Sequence, residues 1–219
     1  MPNKKFGFGL ILVCVLILGG IFLSPLSKTS AQVVTALPPV PTGLKSTFTL
    51  GLSNGQGKTG WMTGSGAAWD MRYLYLAGGV NTNGNWKTWQ WDQLPPGQFA
   101  IDYMNESANN SYMPVLTWYQ LLQSSPASGG NESEKDYNNL NNGSTMNAYF
   151  SDFKLLMDKA RTFGKPVIIH VEPDLWGYMQ MRNANPNNLN AAVSSSGYGD
   201  VAGYPNTLAG FAKAPGRSA

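Results

Sequence analysis

The stretch Thr145-Met-Asn-Ala-Tyr-Phe-Ser-Asp-Phe-Lys-Leu-Leu-Met-Asp-Lys-Ala-Arg-Thr-Phe163, continued by Gly164-Lys-Pro-Val-Ile-Ile-His-Val-Glu-Pro173, decides the fold class. Tyr149, Phe153, Leu156, Met157, Ala160 and Phe163 recur at three- and four-residue spacing, which predicts a helix over about 145–163. Gly164 supplies its C-terminal stop. Lys165-Pro166 then leads into a strand, Val167–Glu172, which Pro173 ends because it cannot donate to a ladder. A helix handing over to a strand in this way is one step of an α/β fold with a parallel sheet.

Three further strands are expected upstream: Thr47–Ser53, Met71–Ala77 up to Gly78-Gly79, and Met113–Tyr119. A helix after Pro95-Pro96 places Phe99, Tyr103 and Met104 on one face and ends at Asn109-Asn110-Ser111, completing a βαβ unit. The Asn/Gly/Ser-rich stretches 124–144 and 183–200 follow the third and fourth strands. In parallel α/β folds such loops build the active face; as low-complexity sequence they are merely flexible. A last helical pattern starts at Tyr204-Pro205 and carries Leu208, Phe211 and Ala212.

Four strands with their helices are half of an eightfold barrel, and four cannot close by themselves. The expectation is an α/β fold, a partial (β/α)8 TIM-type barrel of about four βα units in a truncated chain. A small open sheet is the alternative. Alternation in the fourth strand sets Val167, Ile169 and Val171 on one side and Ile168, His170 and Glu172 on the other. In a barrel the first set meets the helices, and Glu172 stands at the C-terminal mouth where catalytic groups gather.

The N-terminus reads differently. Lys4 and Lys5 precede an apolar run from Phe6 to Leu23, followed by Ser24-Pro25 and small residues to Ala31, the layout of a secretory signal over 1–31. An uncleaved anchor over 6–23 is the alternative, and in either case the remainder is secreted or extracellular. Residues 32–46, with Pro38, Pro39 and Pro41, suit an extended linker, and the domain is expected over 47–219. Cys14 is the single cysteine and lies inside the apolar run, so after cleavage disulfides, thiolate ligands and a thiolate nucleophile are excluded.

Only 12% of the 219 residues are charged, and without Lys4, Lys5 and Lys28 the balance is 12 basic to 12 acidic residues. With no basic cluster, nucleic acid is excluded as a partner. A membrane enters only through an uncleaved N-terminal segment, and a monomer is expected. His170, the single histidine, has no Gly-x-Ser-x-Gly elbow to serve, which argues against a serine hydrolase triad. Metal ligands of the usual kind are missing, and no cofactor is expected.

The chain has seven tryptophans, several in Gly/Asn-rich segments. Indole rings stack on the apolar face of a pyranose, while Asn, Gln and Tyr offer neutral hydrogen bonds, a composition that suits a carbohydrate cleft. Trp89 and Trp91 form either a sugar ledge or a buried cluster; Trp118-Tyr119, at a strand end, is the stronger candidate platform.

His170-Val-Glu-Pro-Asp174, ahead of Leu175-Trp-Gly-Tyr-Met179, resembles two glycoside hydrolase patterns. One is the Asn-Glu-Pro at the end of strand four in the barrel clan that includes many cellulases, xylanases and mannanases; Glu172-Pro173 matches, with Val171 in place of the Asn. The other is the Glu-Pro-Asp segment of family six cellulases, matched by Glu172-Pro173-Asp174-Leu175, although Thr117–Leu122 holds no counterpart of that family's catalytic aspartate.

The resemblance implies a secreted glycoside hydrolase acting on a β-linked polysaccharide. Glu172 would be the proton donor, and Trp118, Tyr119, His170, Asp174 and Trp176 would bind substrate. Glycosidases need two carboxyl groups, and the clan pattern puts the second on strand seven, so these 219 residues alone are expected not to hydrolyse. The alternative is a non-catalytic exported carbohydrate-binding protein.

Overall fold

The computed structural model describes residues 39–40, 43–89 and 95–216. All but Pro39 belong to one compact unit, Val40–Ala219. The expected signal segment, most of the expected linker, and Trp91 lie outside the described residues.

Four strands, β1 (Gly51–Ser53), β2 (Met71–Leu76), β3 (Met113–Trp118) and β4 (Ile168–Val171), form one parallel sheet in the order β1-β2-β3-β4. Each lies within the span predicted from sequence. Every strand pairs with its predecessor, so every crossover steps in the same direction. With the right-handed crossovers that parallel units adopt, all the connecting helices then fall on one side of the sheet.

The two long crossover helices are α2 (Gln98–Asn109) and α4 (Gly143–Phe163), with the short α1 (Thr59–Gly64) between β1 and β2. Gly97 begins α2. Asn142 caps α4 by accepting a 3.0 Å bond at its side-chain oxygen from the Thr145 N–H. Gly164 ends α4 in the left-handed conformation at φ 67°, a backbone that glycine adopts at least cost.

The register puts Arg72, Leu74 and Leu76 beside Pro114, Leu116 and Trp118, and these beside Ile169 and Val171. This is the face that α2 and α4 cover. Trp118 meets Tyr149 and Phe153 of α4 edge to face at 5.7 and 5.6 Å, and Trp86 at 5.5 Å. Val167, Ile169 and Val171 join this core, as the alternation predicted. Even Arg72 is fully buried here, stacked over the Tyr103 ring at 4.2 Å and paired with Glu106 at 2.9 Å.

The opposite face carries Tyr73, Tyr75, Val115, Thr117, Ile168 and His170, none of which belongs to the helix-side core. Tyr75 and His170 are exposed on it. Neither long helix packs against this side.

One of the two stretches read as loops carries an α-helix, and a further helix follows β4. The 124–144 stretch contains α3 (Glu132–Leu140), and α5 (Pro173–Arg182) begins directly after β4. The buried residues of α3 are Asp136, Asn139 and Leu140, so its inward face is mostly polar and hydrophobic periodicity cannot reveal it. The 183–200 stretch is a series of 3-10 turns whose Leu189, Ala191, Ala192 and Val193 are buried, so it packs as part of the core. The final helix is α6 (Leu208–Lys213). Among the described residues no helix is long and apolar enough to cross a membrane.

Candidate functional site

Glu172 sits where β4 turns into α5. Its backbone is left-handed at φ 43°, ψ 65°, a conformation that costs a non-glycine residue about 1–3 kcal/mol and persists only when the surroundings impose it. They do so through β3. The Glu172 N–H donates to the Trp118 carbonyl at 2.7 Å, and carboxyl oxygen Oε1 accepts the N–H groups of Gln120 and Leu121 at 2.9 and 3.2 Å. The carboxyl is thereby clamped across the C-terminal ends of the two strands.

The side chain is 1% exposed. Burial pushes its pKa up to about 8, against the pull of the two backbone donors, and the charge of Asp136 adds to the rise. At neutral pH Glu172 therefore holds its proton. The fully buried Tyr149 hydroxyl lies beside the carboxyl and the Trp118 indole but makes no hydrogen bond of ordinary geometry.

Asp136 bears on this group, and Glu132 and Asp174 bear in turn on Asp136. Asp136, also 1% exposed, has an unpaired Oδ1, and its pKa is raised to about 7 by burial first and then by the charges of Glu132 and Asp174. Glu132, one turn earlier on α3, accepts the Tyr119 phenol. Asp174 is exposed in the first turn of α5. Burial, with the nearby Glu132 and Asp174 charges, raises the pKa of both Tyr119 and Tyr178, so both phenols stay protonated and able to donate.

The structure thus brings together three of the residues singled out from sequence, Glu172, Tyr119 and Asp174. Three others fall elsewhere. Trp118 is fully buried and has no surface to offer a sugar; period two sends it to the helix side while Tyr119 takes the other. Trp176 is half-buried, stacked against Phe211 at 5.9 Å with its indole N–H on the Val171 carbonyl at 2.8 Å. His170 is exposed on the uncovered face, beside Thr117, and not beneath the floor of a site.

Sequence reasoning missed Glu132, Asp136 and Tyr178. The available signal was Asn131-Glu-Ser-Glu134, in which the Asn131 side chain accepts the Glu134 N–H at 3.0 Å and starts α3. Of the candidate ledge, Trp89 packs edge to face on Phe99 at 5.1 Å. Trp86 is fully buried. Among the described residues no group of three or more His, Cys, Asp or Glu is arranged to hold a metal ion.

Compared with protein-family models, with curated proteins and with solved structures, the chain matches none.

Proposed function

We propose that this domain is four consecutive βα units of a glycosidase-type (β/α)8 barrel acting on a β-linked polysaccharide, with Glu172 as the proton donor. The observation that carries the reading is a buried carboxyl at the C-terminal end of a parallel strand, where burial pushes its pKa up to about 8. A general acid in glycoside hydrolysis needs that raised pKa, and a barrel sheet gathers its chemistry at that end of its strands.

Two features of the sheet support the barrel. Its order, β1-β2-β3-β4, has no reversal of the kind that creates the crevice of a doubly wound sheet. The face that α2 and α4 leave uncovered is the one a barrel turns inward, and among the described residues β1 and β4 each pair with a strand on one side only. On this reading the second catalytic carboxyl comes from outside the four units, and the domain acts in the extracellular space.

The test is release of reducing ends from xylan, mannan and carboxymethyl-cellulose by the natural full-length product and its Glu172→Gln variant. Glutamine preserves the acceptor for the Gln120 and Leu121 N–H groups but supplies no acidic proton. A rate loss of about 10²–10⁴-fold is expected; equal rates would remove Glu172 from the chemistry. The 1% exposure of Glu172 favours a second reading, a non-catalytic sugar-binding domain in which the carboxyl clamps β3 to β4. Saccharide binding with no hydrolysis by the wild type would select it.

A further inference from the structure

Tyr75, next to last in β2, is 43% exposed on the uncovered face. Its ring meets Tyr119 edge to face, with centroids 5.6 Å apart and planes at 83°. The two rings come from the C-terminal ends of neighbouring strands, and the Tyr119 hydroxyl donates to Glu132. Asp174 approaches from α5, close enough to bear on the Tyr119 and Tyr178 phenols. An aromatic surface therefore adjoins two carboxylates that are themselves not buried.

Behind them lies an unfilled acceptor. Asp136 is one helical turn from Glu132 on the same face of α3, and its buried Oδ1 has no hydrogen-bond partner. The carboxyl oxygens of Glu132 and Asp174 that edge the rings are acceptors, so a ligand held between them is rich in donors. An anion is repelled by the neighbouring carboxyls. A polyhydroxylated neutral ring supplies the donors and also an apolar face for tyrosine.

We infer that Tyr75, Tyr119, Glu132 and Asp174 form one saccharide subsite, a tyrosine platform edged by carboxylate acceptors that holds a neutral pyranose unit by its hydroxyl groups. The choice of sugar as ligand class rests on the function proposed above, but the subsite does not depend on Glu172 being catalytic. It makes the C-terminal end of the uncovered face, and not the tryptophan-rich core, the surface that meets the polysaccharide.

Calorimetric titration with cellohexaose, xylohexaose and mannohexaose tests it, with a chitosan hexamer and hexagalacturonate as cationic and anionic comparisons. At least one neutral hexasaccharide is expected to bind, with affinity falling tenfold or more in Tyr75→Ala and in Glu132→Gln and staying within threefold in Tyr75→Phe, which keeps the ring. Binding of none of the neutral sugars, binding of the cationic oligomer alone, or unchanged affinity in Tyr75→Ala would overturn the subsite. Since Tyr75 is a surface residue, its variant is expected to stay folded, and circular dichroism checks this. If Tyr75→Ala binds like the wild type while hydrolysis depends on Glu172, the subsite fails and the catalytic reading stands. If binding depends on Tyr75 and Glu132 while no product hydrolyses, the reverse holds.

Discussion

Trp118 and Tyr119 are neighbours in sequence with opposite fates. Trp118 is the hub of an edge-to-face cluster with Trp86, Tyr149 and Phe153 on the helix side of the sheet. Tyr119 stands on the other side, in contact with Tyr75 and Glu132. Both are aromatic residues at one strand end, and only the pleat separates core from candidate site. One face of this sheet is packed under helices; the other carries the proposed subsite.

The largest effect expected from that contrast is on stability. Replacing Trp118 by Ala removes the ring on which three others pack, and a buried Trp→Ala change costs about 3–5 kcal/mol. Urea unfolding followed by fluorescence measures it. A loss under about 1 kcal/mol would mean that the helix-side cluster does not hold the sheet, and the contrast between the faces would collapse.

Next comes the pH dependence set by the clamp between β3 and β4. Glu172 and Asp136 have folded-state pKa values raised to about 8 and about 7, so in the window between the ordinary carboxylate range and those values the folded protein binds more protons than the unfolded chain. Stability therefore falls as pH rises from about 5 to 8, at up to about 1.4 kcal/mol per pH unit for each group. Glu172→Gln should flatten part of that slope. Thermal melts at several pH values read it, and stability rising over the same interval would show that these carboxyls are not buried as described.

A smaller effect belongs to the layer that covers the helix side. Asn142→Ala removes the side-chain acceptor for the Thr145 N–H at the start of α4 and should cost about 1 kcal/mol, with little change in saccharide binding. A variant that lost binding while losing little stability would tie α4 to the uncovered face, against the separation proposed here.

What the sequence disclosed follows the same division. The four strands, the long helix over about 145–163 and the alternation in β4 were legible because each depends on apolar residues repeating at the period of its own element. The covered set in β4, Val167, Ile169 and Val171, was identified by its apolar character alone. In β3 that criterion fails, since Val115 and Tyr119 alternate with Leu116 and Trp118 and all four are apolar or aromatic, so the pattern does not tell which of the two candidate platform rings, Trp118 or Tyr119, is covered. The α3 carboxyls were hidden for a related reason. Asp136 and Asn139 are buried polar residues, and their helix shows itself through its cap at Asn131 and not through a hydrophobic stripe.

The smallest expected effect is the most diagnostic. Tyr75→Ala removes a ring as large as many in the core, yet that ring is 43% exposed and touches chiefly Tyr73 and Tyr119, at 6.5 and 5.6 Å between centroids. Losing one or two aromatic contacts of about 0.5–1.5 kcal/mol each, on a surface that water already reaches, should lower stability by no more than about 1 kcal/mol. A core ring of similar size would cost several times that. Urea midpoints for Trp118→Ala and Tyr75→Ala, measured side by side, therefore compare the two faces directly. Equal losses would mean that the Tyr75 ring is covered in solution, and would remove it from the proposed subsite.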